Sequence, residues 1–182
     1  MRRIHLSAFA LITLILLSAP LASATNLLVN GSFEQPFSTV SQWTSIPGWT
    51  RTCGTTVEIQ SAASMSLTPF DGNQWWESDG VDNTCLAQTI TTQFNSVYRV
   101  TFAHSARPGI RSNAVAVYWN GSLLATVDAN GQLNTNTAWQ VGSYYVVASG
   151  PSSTLEFRAV GRQDALGGFI DGVSVEEVFI CN

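Results

Sequence analysis

Carboxylates and indoles cluster in one short stretch of the chain. Glu77, Asp79 and Asp82 follow Trp75-Trp76, and two carboxyl groups held across a bond suffice to hydrolyse a glycoside. Spacing along one segment does not set two carboxyls on opposite sides of a substrate, so a polar strand edge entering a solvated loop explains the same residues more simply. The two tryptophans are adjacent, and in a strand their rings point to opposite faces. One ring then enters the core, while the other is presented outward beside Glu77 or Gln74. An exposed indole flanked by amides and carboxylates suits a sugar, whose C–H faces stack on the ring while its hydroxyls bond to the polar groups. Trp75 with Glu77 is therefore expected on the outward face, and Trp119 is a second candidate platform. Core packing remains the commoner use of any single tryptophan.

Other chemistries are constrained by what the chain lacks. His104 is the one histidine beyond the first few residues, so a histidine-rich zinc site is excluded and a hydrolytic triad would have to use His104 as its base. No G-x-S-x-G elbow, P-loop or dinucleotide glycine pattern is present. Arg107 in Ser-Ala-Arg-Pro-Gly and Asp164 before Ala-Leu-Gly-Gly could meet at one rim, either clamping a ligand's hydroxyls or pairing with each other. Charged residues make up only 11% of the 182, lysine is absent, and the net charge is −4. A clustered basic footprint for nucleic acid has nothing to stand on.

These side chains must be positioned by strands. Tyr98, Val100 and Phe102 alternate with Arg99, Thr101 and Ala103, and Leu155, Phe157 and Ala159 alternate with Glu156 and Arg158. Ala114 to Trp119, then Asn120-Gly121, then Leu123 to Val127 reads as a hairpin. Further strands are expected at 27–29, 57–60, 74–77, 86–91, 139–148 and 169–175, and no window reads as an amphipathic helix. Short strands at turn-punctuated intervals imply an all-β antiparallel β-sandwich or jelly roll.

Arg2 and Arg3, the apolar run from Leu6 to Leu17 and Ala22-Ser23-Ala24 read as a signal peptide over 1–24. The expected product is one secreted domain over 25–182, extracellular or periplasmic, without membrane insertion. Export permits a disulfide. Cys53, Cys85 and Cys181 allow three pairings; Cys53 with Cys85 is preferred because both lie in loop-like segments while Cys181 is next to the terminus.

Six motifs occur in order: Asn26-Leu-Leu-Val-Asn-Gly-Ser-Phe-Glu34, Ile46-Pro-Gly-Trp49, Asp71-Gly-Asn-Gln-Trp-Trp-Glu77, Ser105-Ala-Arg-Pro-Gly109, Val117-Tyr-Trp-Asn-Gly121 and Asp164-Ala-Leu-Gly-Gly-Phe-Ile-Asp171. Together they resemble the galactose-binding-like β-sandwich modules, specifically bacterial relatives of the plant cell-wall family called domain of unknown function 642, with carbohydrate-binding modules more distant. The resemblance implies a jelly roll that binds a polysaccharide or glycan without catalysis and holds a structural calcium ion. It maps the metal onto Glu34 and Asp171, a pairing of hard oxygens that would tie the first and last strands together. It also shows a departure: the inward positions after Asp71-Gly72 are usually aliphatic, and here they hold Trp76 and Ser78. The expected glycan site is Trp75 or Trp119 with Glu77, Arg107 and Asp164. The competing expectation is an adhesion or cell-envelope protein using the same fold to bind a protein partner.

Overall fold

The computed structural model describes residues 25–43 and 45–179. The signal-peptide expectation and Cys181 lie outside these residues. The strands are β1 (Gln42–Trp43), β2 (Thr50–Cys53), β3 (Glu58–Ser61), β4 (Gln74–Glu77), β5 (Cys85–Thr91), β6 (Val97–Ser105), β7 (Val115–Trp119), β8 (Ser122–Val127), β9 (Gln140–Val147), β10 (Ser152–Ala159) and β11 (Phe169–Val178). A single helical turn, α1 (Ala62–Met65), follows β3. One sheet has six strands in the order β1-β3-β4-β11-β6-β9 and the other five in the order β2-β5-β10-β7-β8. Neighbouring strands pair antiparallel throughout both sheets.

Alternation decides which side chains fill the space between the sheets. Val100 and Phe102 of β6, Val115, Val117 and Trp119 of β7, and Leu155 and Phe157 of β10 form that core with Trp76. The hairpin from β7 to β8 turns where it is expected, with Asn120 at φ 49° and Gly121 at φ 78°. Two left-handed residues in succession match the twist of the flanking strands, which is why Asn-Gly sits there. The chain at 27–29 departs from expectation. It forms no strand and is held instead by Leu27 N–H to the Val175 carbonyl and by Gln88, whose side chain pairs with both backbone groups of Val29. The short β1 and β2 were not expected, because neither has enough residues to show a period.

Cys53 and Cys85 form a disulfide. The bond sits at the register match of β2 with β5, so it fastens an edge strand to the sheet. No described helix is long and apolar enough to cross a membrane.

Candidate functional site

The tryptophan pair divides between faces as alternation requires. Trp76, matched in register to Ile59 and Ile170, faces the core and meets Phe157 of the opposite sheet edge-on. Trp75 points the other way, onto the outer face of the six-stranded sheet. The expectation that this makes it an exposed platform is corrected, because Trp75 is 0% exposed. Trp139, at the entrance to β9, and Phe169 of β11 pack on it at 6.4 and 5.4 Å between ring centroids. The outer face here is a second small core rather than a bare surface. Trp119 is also no platform: it is buried between the sheets and donates its ring N–H to the Val147 carbonyl.

Beneath those rings lies a row of polar groups. The register of β3 on β4 sets Glu58 opposite Glu77 and Gln60 opposite Trp75. Glu77 is fully buried, its Oε1 accepts the Gly167 N–H at 2.5 Å, and an Arg107 nitrogen stands 3.4 Å from the same oxygen. Burial first, and then the neighbouring Glu58 side chain, push the Glu77 carboxyl up to about 10, against the lowering pull of Arg107 and the Gly167 N–H. Desolvation disfavours the charged form, so Glu77 is a neutral acid at pH 7. Its Oε2 has no hydrogen-bond partner of good geometry, nor do Gln60 Oε1, Trp75 Nε1 and Arg107 Nη1. Donors and acceptors thus stand side by side on one patch of the sheet.

Arg107 was expected to meet Asp164. It pairs instead with Glu77 and lies 5.8 Å above the Phe169 ring, while Asp164 is 3.6 Å from Arg162. Asp79 Oδ2 accepts the N–H groups of Asp164 and Ala165 and so fixes that part of the loop, with the Asp164 carboxylate beside Arg162. His104 is half-buried in β6 with its ring near Phe102, and desolvation lowers its pKa. Among the described residues, no serine or carboxylate hydrogen bond joins it to a triad.

The surface above the buried row is made by two loops. Thr68 is their joint: its carbonyl accepts from the Trp139 ring N–H and from Thr137 Oγ1, its N–H reaches Asn136 Oδ1, and its hydroxyl accepts from Asn136 Nδ2. Phe70, 47% exposed, meets the half-buried Trp139 edge-on at 6.2 Å. The outcome is an aromatic pair fringed by Thr68, Asn136, Thr137 and the exposed Asp71. Sequence reasoning missed Phe70 and Trp139, because only the folding of 61–73 against 129–139 brings them together, and Glu58 and Gln60, because only the register of β3 on β4 sets them beside Glu77 and Trp75.

Glu34 and Asp171 both grip the segment 70–74. Glu34 Oε1 accepts the N–H groups of Asn73 and Gln74, and Asp171 Oδ2 accepts those of Phe70 and Asp71. Gly72, at φ 59°, is obligatory beside them, since a Cβ there would fall 2.4 Å from the Glu34 carboxyl carbon. Glu34 Oε1 and Asp171 Oδ2 are thus used by N–H donors, and no group of three acidic, histidine or cysteine side chains among the described residues is placed to hold a metal ion. A calcium ion wants six to eight oxygens, so at Glu34 and Asp171 it would have to draw most of them from carbonyls and other side chains. The N–H bonds by themselves staple the segment 70–74 to the first and last parts of the chain. Burial raises Asp171 to about 7.

Comparison with known proteins bears on this architecture. The chain is 29% identical over 160 residues to a multifunctional-autoprocessing repeats-in-toxin protein of Vibrio vulnificus; the match covers 86% of this chain and 3% of that protein. The chain therefore corresponds to a small fraction of that relative's length. Among solved structures, an arabinose-bound α-L-arabinofuranosidase superposes with a TM-score of 0.51 at 14% identity, over 84% of this chain and 26% of that one. A family 35 carbohydrate-binding module from Paenibacillus barcinonensis superposes with a TM-score of 0.47 at 16% identity, over 75% of this chain and 97% of that one. Residues 26–176 match the model of the protein family of unknown function DUF642, and the chain belongs to that family.

Proposed function

We propose that the chain is a secreted carbohydrate-binding module that holds a neutral polysaccharide or glycan without turning it over. The observation that carries this reading is the Phe70–Trp139 pair, an apolar stacking surface at the junction of two loops rich in hydroxyls and amides. Aromatic faces take the C–H side of a sugar ring, and Asn136, Thr137 and Asp71 stand where its hydroxyls would lie. Low charge supports an uncharged target, since long-range attraction to a polyanion needs a field that this chain does not carry. Glu77 is fully buried, so its carboxyl is not presented to a glycosidic bond at the surface, which favours binding over catalysis. The reading needs no calcium from Glu34 and Asp171. It agrees with the carbohydrate-linked proteins that share the fold, as a likeness of architecture.

The experiment is a glycan array followed by affinity electrophoresis in soluble polysaccharides. Retarded migration, lost in Trp139→Ala and weakened in Phe70→Ala, is the expected result; Phe70→Ala is the variant that keeps its melting temperature, because Phe70 is exposed while Trp139 also covers Trp75. Silence across a broad array would favour the protein-binding reading. Release of reducing ends would make the chain an enzyme.

A further inference from the structure

A cavity of about 380 Å³ opens away from the glycan face, between the β2 edge of the five-stranded sheet and the residues leading into β3. Its floor is apolar: Ile46, Trp49, Val57 and Leu86 are all buried there. Its rim carries Arg51, Thr55 and Thr56. The volume lies within the range of small-molecule sites, roughly 300–1,000 Å³, which are mostly apolar with a few placed polar groups.

Two features of this cavity are unexplained by folding. Arg51 is matched in register with Leu86, and directly opposed residues of an antiparallel pair share a face. Its side chain is therefore directed to the inner side of the sheet, where Leu86 belongs to the core. One guanidinium nitrogen bonds to the Gly54 carbonyl, and Arg51 makes none of the four ion pairs among the described residues. The other feature is Thr56, which lines the cavity and whose Oγ1, closed off from solvent, has no partner. An inward charge on an edge strand also discourages edge-to-edge pairing, but that role requires neither a cavity nor an orphaned hydroxyl.

We infer that this cavity binds a small carboxylate with an apolar body, the carboxylate held by the Arg51 guanidinium at the rim, the body resting on Trp49, Ile46, Val57 and Leu86. A planar guanidinium matches a carboxylate with two parallel N–H bonds, which an alcohol or amine head cannot accept in the same way. At the rim the Asp82 carboxylate accepts the Thr55 N–H.

The test is titration calorimetry of the purified protein with three probes of equal body, hexanoate, hexanol and hexylamine, alongside the Trp139→Ala variant. Saturable binding of hexanoate, with hexanol at least tenfold weaker and hexylamine silent, is expected. Arg51→Gln should weaken hexanoate at least tenfold without lowering the melting temperature, because Arg51 is exposed. Trp139→Ala should leave hexanoate binding unchanged, which separates this site from the glycan face. Equal affinity for hexanoate and hexanol, an unaffected Arg51→Gln variant, or no binding at millimolar hexanoate would each overturn the inference.

Discussion

Replacing Glu77 with glutamine should change how the protein's stability depends on pH. The folded carboxyl titrates near 10 and the unfolded one near 4.5. Between these values the native state keeps a proton that the unfolded state has released. Stability then falls as pH rises, by about 1.36 kcal/mol per unit for one such group. The sign is that of a group with a raised folded pKa: its contribution is complete below pH 4.5 and is lost progressively as pH climbs towards 10. From pH 5 to pH 8 the wild type should lose about 4 kcal/mol on this account. Glu77→Gln cannot titrate, yet its amide still offers an acceptor to the Gly167 N–H and a donor towards Glu58. Asp171, raised to about 7 by burial, bends both curves alike and cancels in the comparison. Urea denaturation followed by tryptophan fluorescence at unit steps from pH 5 to pH 8 measures the difference directly. The variant should gain on the wild type by about 1 kcal/mol or more at each step. Parallel curves would refute the argument, since they would mean that Glu77 is ionised in the folded protein or that its burial is relieved by solvent.

Two further outcomes follow from the same structure. Replacing Cys53 and Cys85 together with serine opens a cross-link between residues 32 apart in sequence, and the chain-entropy relation puts the loss at about 3 to 4 kcal/mol, read as a lower urea midpoint; an unchanged midpoint would mean that the bond does not restrict the unfolded chain. Dialysis against excess chelator should leave the melting temperature where it was, because backbone N–H groups already satisfy Glu34 and Asp171; a fall of several degrees, restored by calcium, would mean that these carboxylates turn to a cation.

The sandwich was legible because its long strands alternate. β4 lies at the expected residues, and β5 to β8 and β10 fall within a few residues of them, since period-two hydrophobicity is the direct consequence of one buried face. The Asn120-Gly121 turn and the choice of Cys53 with Cys85 were readable for equally local reasons. β1 and β2 were not, being too short to carry a period. Trp75 shows the limit most clearly. Alternation correctly sends it to the face opposite Trp76, but says nothing about what lies over that face. The cover is Trp139, which is 64 positions away in the numbering and arrives only through the Thr68 joint. Arg107 makes the same point, for it pairs with Glu77 while Asp164 lies beside Arg162.

The aromatic face proposed for a glycan and the strands therefore answer to different parts of the sequence. Trp76, Phe157 and Val117 fix how the sheets stack, and changes there would damage the fold before they altered any contact surface. Phe70 and Trp139 are held from outside the sheets, by bonds between two loops that meet at one carbonyl. Loops tolerate change in length and composition at small cost to stability. Moving Asn136 or Thr137 would shift the aromatic pair relative to the buried row of Glu58, Gln60, Trp75 and Glu77 while leaving the register of β3 on β4 intact. Target preference can then vary without renegotiating the sandwich, and the neutral acid under Trp139 keeps its role in every such variant: it fills the outer face with a group that can donate and accept without adding charge.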